Sequence, residues 1–236
     1  MNTDARFDVE SHFDESWAAA YEKQIRQFCP AYDALHRMLP GWFSGMPEKA
    51  RFLSAGSGSG AELLALGAAY PGAELHGVDL SADVLSVCQD RLQTAGLAER
   101  VHLHLGKMQT YRPAELFDGA SSVFVAHFIH EPEERLAYFR AVAGCLKNGA
   151  TFVFADLFGD KAGPGFRLVF ENWLRFYAAQ GIAADQLVQD RAHIESGICF
   201  EPEANIENLL VEAGFEPPVR FFQSYLFGGW VTRKAA

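Results

Sequence analysis

Three glycines alternate with serines in the segment Ser54–Gly60, which follows a short apolar run and precedes a helical pattern. Glycines Gly56, Gly58 and Gly60 let the backbone turn tightly and approach a ligand, and free N–H groups at a helix start attract an anion. Asp79 follows about twenty residues on, at the end of the next apolar run, where its carboxylate can accept hydrogen bonds from both ribose hydroxyls. The turn and Asp79 together predict a site for an adenosine-type ligand.

The glycine spacing alone leaves two ligands open. The pattern Gly56-x-Gly58-x-x-Ala61 also satisfies the fingerprint of a nicotinamide dinucleotide site. A dinucleotide needs a second half of parallel strands, whereas the C-terminal VRFFQSYLFGGWVTRK predicts an antiparallel strand pair. That difference favours the smaller ligand. A tight turn that caps a helix without any ligand is the third interpretation, and the position of Asp79 argues against it.

Strand-like and helical patterns alternate from residue 51 onward and position these groups. The runs RFLSA, ELHGV, VHLHL, SSVFVA and TFVFADL predict five parallel strands with crossover helices, the fourth over 121–126. After Ser81, an apolar stripe predicts a helix. Another helix is predicted from Pro132 to about Leu146, where Asn148-Gly149 ends it. Helices are also predicted over about 165–180 and 204–213.

These elements predict an α/β, Rossmann-like fold: a mostly parallel seven-stranded sheet with an antiparallel C-terminal strand and an N-terminal helical cap. At 236 residues, one domain over 1–236 is expected. Its parts are a helical cap over 1–50, a ligand-binding core over 51–160, a helical substrate insert over 161–200, and a C-terminal helix and strand pair over 201–236.

Composition excludes several partners. The formal net charge of -10 lacks the basic footprint needed to bind phosphate backbones, so nucleic acid is disfavoured. The acidic start has no signal-peptide pattern and no apolar run reaches membrane-spanning length, which predicts a cytoplasmic protein without a membrane partner. The four cysteines form no C-x-x-C pair, and no metal site is predicted. The 20 phenylalanines could line a pocket or the interface of a homodimer.

The motifs FLSAGSGSG and LHGVDLS resemble the cofactor-binding segments of class I S-adenosylmethionine-dependent methyltransferases over about residues 50–160. A narrower likeness reaches both ends of the chain: FDESWAAAYEKQIRQFCPAYDAL, EPEER and AGFEPPVRFFQSYLFGGWVTRK are similar to the carboxy-S-adenosylmethionine synthase family. The resemblance implies a transferase that binds S-adenosylmethionine or a carboxylated derivative of it.

The resemblance also implies site residues. Tyr32 and the glycine turn would contact the amino-acid part of the cofactor, and Arg191 would hold the added carboxylate of carboxy-S-adenosylmethionine. The resemblance places Lys107 where the family has an acidic residue that contacts adenine. The Lys107 ammonium can only donate hydrogen bonds, so Gln109 or a backbone carbonyl must accept from the adenine amino group. Phe124 replaces a synthase asparagine. The predicted cofactor-binding residues are Tyr32, Ala55, Gly56, Ser57, Gly58, Gly60, Asp79, Leu80, Lys107, Met108 and Phe124.

Catalytic candidates follow from methyl transfer, an in-line displacement that depends mainly on alignment. Arg191 can pair bidentately with a substrate or cofactor carboxylate, although surface helix arginines are common. His127 and His130 flank the end of the fourth strand and either could act as a base, whereas such histidines are more often structural. Asp156, which closes the fifth strand, could position substrate or cap a turn.

Aromatic residues of the helical insert are the other candidates. Tyr177, with Trp173 and Phe176, could face a sulfonium, although core packing is the more common role of such rings.

Three functions remain open at this point. The first is methyl transfer to a small molecule, which could be a carboxylate. The second is an enzyme that rebuilds the cofactor itself, by carboxylation or by an intramolecular displacement that releases methylthioadenosine. The third is a cofactor-binding subunit without catalysis.

Overall fold

The computed structural model describes the backbone of residues 15–236 and the side chains of residues 21–236. Seven strands form one sheet in the order β3-β2-β1-β4-β5-β7-β6. The strands are β1 Arg51–Ala55, β2 Glu74–Asp79, β3 Val101–Leu105, β4 Phe117–Val123, β5 Leu146–Leu157, β6 Val219–Ser224 and β7 Phe227–Arg233. Strands β1 to β5 pair in parallel, and β7 is antiparallel to both β5 and β6. The predicted α/β sheet is therefore confirmed.

Eight α-helices flank the sheet in the described part of the chain. They are α1 Glu15–Phe28, α2 Tyr32–Met38, α3 Ala61–Ala69, α4 Ala82–Thr94, α5 Pro132–Gly144, α6 Pro164–Ala178, α7 Ala184–Gly197 and α8 Glu203–Glu212. Helices α1 and α2 belong to the predicted cap, of which residues 1–14 lie outside the described residues. The Ser81 hydroxyl caps α4 by accepting a hydrogen bond from Val84 N at 3.2 Å.

The order of the sheet reverses between β1 and β4. The glycine turn follows β1 and Phe124 follows β4, so both lie at the carboxyl ends of these strands, where open α/β sheets bind ligands. Three apolar clusters support this edge. Two of them cover the faces of the sheet. The third, which we call the cap cluster, joins helices α1 and α2 to the insert helices α6 and α7 and to the ends of β4, β5 and β7. Its large buried members include Tyr32, Phe124, Phe170, Trp173 and Phe227.

Two predicted boundaries were wrong, and one helix lacked predicted bounds. Strand β4 spans 117–123 rather than 121–126, because Phe124 takes a positive φ of 59° that an extended strand cannot continue. Helix α5 ends at Gly144, before Asn148-Gly149, and those two residues lie inside the long strand β5. Helix α7 lies within the helical insert predicted over 161–200 but had no predicted bounds of its own, because it buries only Ile194 and Gly197 and so carries no apolar stripe.

Two further features bear on the sequence predictions. Cys29, Cys88 and Cys145 are buried as free thiols, and Cys199 is partly buried. In the part of the chain that the structure describes, none of the helices combines the length and apolarity needed to cross a bilayer.

Candidate functional site

The glycine turn after β1 is held open toward the carboxyl edge of the sheet. Gly56, Gly58 and Gly60 have φ values of 71°, 52° and 85°, in the left-handed region that favours glycine. Gly56 N and Ser57 N both donate to Val78 O, at 2.8 and 3.0 Å, which fixes the turn on β2. A Cβ added to Gly58 would meet no atom within 4 Å. The Gly58 backbone therefore borders open space that a ligand can occupy.

Asp79 ends β2 directly beside this turn. Its Oδ2 accepts from Gly58 N at 2.8 Å and its Oδ1 from Ser81 N at 3.1 Å. Each carboxylate oxygen keeps a second lone pair, so Asp79 can still accept from two ribose hydroxyls. Burial raises the pKa of Asp79 above its ordinary value, although hydrogen bonds from backbone N–H groups oppose that shift.

We expect Gly56→Ala to destabilise the protein by about 1–2 kcal/mol, lowering Tm by about 3–7 °C. A Cβ at this position would lie 2.3 Å from Val125 Cγ2, on a backbone with a φ of 71°. Thermal unfolding measures the effect. Gly144→Ala is the matched control, because a Cβ there would meet nothing within 4 Å. Equal Tm values for the two variants would mean that the turn tolerates a side chain at Gly56.

The loop after β3 begins next to Asp79, because Gly106 N donates to Asp79 O at 2.8 Å. Lys107 is exposed and Met108 is buried. Leu80, 36% exposed, follows Asp79 on the same side of the glycine turn. The structure thus brings the predicted adenine-side residues to one edge, and their contacts to adenine stay a prediction.

A buried carboxylate that the sequence analysis missed lies under the turn. Glu62, on the first turn of α3, is 4% exposed, and its Oε1 accepts from Ser54 Oγ at 3.0 Å and Ser121 Oγ at 3.5 Å. Among residues 21–236 it forms an ion pair only with His36, whose Nε2 lies 3.9 Å from Glu62 Oε2, beyond hydrogen-bond distance. No sequence pattern marks Glu62, because the β1–β4 pairing of Ser54 with Ser121 brings its partners together.

Two buried polar atoms have no hydrogen-bond partner among the described residues: His36 Nε2, which lies 3.9 Å from Glu62 Oε2, and Ser57 Oγ in the glycine turn. His36 Nδ1 lies 2.9 Å from Tyr32 O, which orients the ring. Burial alone would lower the pKa of His36, but the neighbouring Glu62 outweighs it and the pKa is raised. Buried polar atoms are seldom left unpaired, so this corner suits a polar ligand group.

The cap helix α1 is tied to the same turn through Glu22. Glu22 Oε1 accepts from Ser59 Oγ at 2.6 Å and from Arg91 Nη1 at 2.7 Å, and Arg91 Nη1 also donates to Ser59 O at 2.8 Å. Burial opposes ionisation of Glu22, but hydrogen bonds from Ser59 and Arg26 outweigh it and lower its pKa. The cap is therefore docked on the glycine turn by a charged pair.

Aromatic rings form the wall beside the turn. The Tyr32 and Phe124 ring centroids are 6.3 Å apart, and those of Phe124 and Phe227 are 5.1 Å apart. The positive φ of Phe124 is rare for a bulky residue and marks a strained position at the end of β4. Phe124 thus lies next to Tyr32, at the carboxyl ends of β1 and β4, where the cofactor is predicted to bind.

The two central acid–base candidates pair with each other. His127 Nδ1 and Asp156 Oδ1 are hydrogen-bonded, both residues are buried, and both line a cavity of about 20 Å³ with Arg135 and Cys199. That volume holds about one water molecule. Asp156 therefore orients the His127 imidazole, but the cavity is too small for an acceptor, and a catalytic role of His127 stays a prediction. His130 is exposed, with Nε2 3.1 Å from Gly197 O.

The aromatic candidates of the insert are engaged in ring packing and hydrogen bonds. Tyr177 stacks on Phe28 with centroids 4.0 Å apart, and its hydroxyl donates to Asp190 Oδ2 at 2.6 Å. The Trp173 indole N–H donates to Phe28 O at 2.7 Å, and the Phe176 ring lies 5.7 Å from that of Tyr225. These contacts dock α6 on the cap.

Arg191 lies on α7 with 39% of its side chain exposed. Its Nη2 and Nη1 donate to Glu171 at 2.6 and 3.2 Å, and its Nε donates to Glu195 at 3.0 Å. A ligand carboxylate would have to compete with two protein carboxylates for this guanidinium. Its role at the reacting end of the site stays a prediction.

A mostly parallel sheet with a glycine turn after β1, a carboxylate at the end of β2 and an antiparallel β7 is the arrangement expected of a class I methyltransferase. Residues 52–149 match the family model described as a methyltransferase domain. The carboxy-S-adenosyl-L-methionine synthase of Dichelobacter nodosus is 27% identical over 239 residues, covering 96% of this chain and 93% of that protein.

Two other comparisons agree. An uncharacterized protein of Synechococcus sp. is 35% identical over 113 residues, but the match covers 45% of this chain and only 26% of that protein. The solved structure of the S-adenosylmethionine-dependent methyltransferase SibL has a TM-score of 0.60 at 20% identity, covering 87% of this chain and 57% of that one. Together, the match of residues 52–149 and the near full-length similarity to the synthase support the class I S-adenosylmethionine-dependent methyltransferase class and the cofactor predicted from the sequence.

Proposed function

We propose that the protein transfers the methyl group of S-adenosylmethionine to a small molecule. The observation that carries this proposal is the pairing of Gly58 with Asp79: a turn open on its outer side, hydrogen-bonded to a carboxylate that retains free lone pairs. Bound S-adenosylmethionine supplies an electrophilic methyl carbon on a sulfonium. The residues of the chain bind and orient it.

The charge of the site fits this cofactor. S-adenosylmethionine carries an ammonium and a sulfonium, and the turn is flanked by the carboxylates of Asp79 and Glu62. The nearest cationic partner of the buried Glu62 carboxylate, His36, lies 3.9 Å away, beyond hydrogen-bond distance, so a cationic ligand group would offset part of its desolvation cost. We propose that the ammonium of the cofactor binds beside Glu62, whose Oε2 has no cation closer than His36 Nε2 at 3.9 Å among residues 21–236.

The acceptor would approach through the aromatic wall of the cap cluster. Phe124, Phe227 and Tyr32 offer apolar and polarizable surface, which suits alignment of a small organic substrate rather than a phosphate backbone. The net charge of -10 likewise opposes a nucleic-acid substrate. The proposal includes a cytoplasmic enzyme; assembly as a homodimer and a carboxylate on the substrate stay predictions.

A second candidate function is modification of the cofactor itself, as in a carboxy-S-adenosylmethionine synthase. The observation that favours it is the similarity to a protein of that name along 96% of the chain. Against it stands Arg191, the residue expected to hold the extra carboxylate, because Glu171 and Glu195 already accept from its guanidinium.

Mass spectrometry of the ligand carried through purification, and of products formed on incubation with S-adenosylmethionine, tests both functions. We expect S-adenosylmethionine or S-adenosylhomocysteine in the purified protein and no carboxylated species. Carboxylated cofactor in the wild type, lost in Arg191→Leu, would support the second function instead. Methylthioadenosine as the accumulating product would indicate intramolecular displacement. No nucleoside ligand and no affinity for S-adenosylmethionine would contradict both.

A further inference from the structure

A second polar cluster lies at the opposite end of β2 from Asp79. Glu74 and His76 are two residues apart on β2 and point to the same face, and His102 on β3 is the direct register partner of His76. The imidazole centroids of His76 and His102 are 4.8 Å apart. One carboxylate oxygen and one nitrogen from each ring all lie within 4.8 Å of one another.

We propose that Glu74, His76 and His102 bind a single Zn²⁺ ion. Two imidazoles and one carboxylate form a common zinc donor set, and a solvent molecule completes the tetrahedron. Zinc bonds of about 2.0–2.2 Å place tetrahedral ligand atoms about 3.3–3.5 Å apart. Glu74 Oε1 lies 2.5 Å from His76 Nε2 and 3.8 Å from His102 Nε2, so these separations bracket the required value.

Small side-chain rotations would bring the donors into place, because two of the three side chains are exposed at the surface. The side chains of His102 and Glu74 are 57% and 41% exposed, whereas His76 is 11% exposed and anchors the site. The exposure of the outer two also gives the ion access from solvent.

A hydrogen bond to the far nitrogen of His76 supports the assignment. Tyr111 Oη lies 3.4 Å from His76 Nδ1. A histidine that binds metal through Nε2 carries its proton on Nδ1, where a second group accepts it and fixes the ring. Tyr111 is placed to be that acceptor.

Arg51 competes with the ion in the metal-free protein. Its Nη2 lies 3.3 Å from both Glu74 Oε1 and His76 Nε2, so the guanidinium contacts two of the atoms that would bind the ion. Arg51 has another partner, since Nη1 donates to Glu115 O at 2.5 Å, and it can shift toward Glu115 when zinc enters. Removing Arg51 should therefore tighten zinc binding.

Calorimetric titration of the chelator-treated full chain with Zn²⁺ tests the site. We expect one ion per chain, a loss of affinity of tenfold or more in His102→Ala, and a loss of about tenfold in Tyr111→Phe. His104→Ala is the matched control on the same strand and face and should bind zinc normally. Arg51→Gln should bind zinc more tightly than the wild type. Circular dichroism confirms that each variant is folded.

Two results would overturn the site: no saturable zinc binding by the folded wild type, or equal affinities in His102→Ala and His104→Ala. Weaker binding in Arg51→Gln would show that the arginine supports the cluster rather than competes with an ion. The cofactor site lies at the other end of β2, so affinity for S-adenosylmethionine should be unchanged in all four variants. Zinc binding and cofactor binding can thus fail independently.

Discussion

Replacing Asp79 with alanine is expected to weaken S-adenosylmethionine binding by about 1.5–3 kcal/mol, roughly 10- to 150-fold. Two charge-assisted hydrogen bonds to the ribose would be lost, and Gly58 N, which donates to Asp79 Oδ2 at 2.8 Å, would lose its partner. Calorimetric titration measures the change. Because ribose is common to both ligands, methylthioadenosine should lose affinity to a similar extent.

Asp83→Ala is the control for Asp79→Ala, because Asp83 is an exposed carboxylate in the first turn of α4. It should bind S-adenosylmethionine like the wild type. An unchanged affinity in Asp79→Ala would remove this residue from the site, and tight binding of a nicotinamide dinucleotide would then reopen the ligand assignment.

The raised pKa of Asp79 adds a pH dependence to the same measurement. Burial favours the protonated acid, and that form has fewer lone pairs for the ribose hydroxyls. As pH falls, affinity for S-adenosylmethionine should begin to decline at a higher pH than an ordinary aspartate would give. The Asp79→Ala variant should lack this part of the pH profile.

Glu62→Gln is expected to weaken S-adenosylmethionine about 30- to 100-fold, or about 2–3 kcal/mol, while leaving methylthioadenosine unchanged. Glutamine keeps the size of the side chain and an oxygen that can accept from Ser54 Oγ and Ser121 Oγ, so the loss isolates the charge. Methylthioadenosine lacks the amino-acid part, and therefore does not carry the ammonium that we place beside Glu62.

S-adenosylhomocysteine identifies which positive charge Glu62 binds. It keeps the ammonium and has a neutral sulfur, so an equal loss for both cofactor forms indicates the ammonium, and a loss confined to S-adenosylmethionine indicates the sulfonium. Glu115→Gln, with a side chain 78% exposed, is the control. If Glu62→Gln bound all three ligands like the wild type, Glu62 would be a structural residue only.

Local patterns along the chain predicted most of the sheet and the cofactor turn. Each of the first three strands is a short apolar run, and Val84, Leu85, Cys88 and Leu92 of α4 are buried as their helical spacing predicts. The glycines of the turn and Asp79 could be singled out because the cofactor-binding role proposed for them depends on backbone freedom and on position after a strand. Such signals lie within a few residues of one another.

Elements without a local signal could not be predicted. Helix α7 buries too little apolar surface to show a stripe, and the end of β4 depends on the positive φ that Phe124 adopts within the cap cluster. The pairing of His127 with Asp156 depends on the relative position of the ends of β4 and β5.

The sequence by itself indicated the class of the protein, its cofactor and the two motifs expected to bind it, because these depend on the order and spacing of residues along single strands and turns. Only the tertiary structure decided which distant charges meet. It placed Glu62 between Ser54, Ser121 and His36, paired His76 with His102, and held Arg191 among carboxylates. Strand register and helix packing set those distances, and electrostatic interactions depend on distance and burial rather than on separation along the chain.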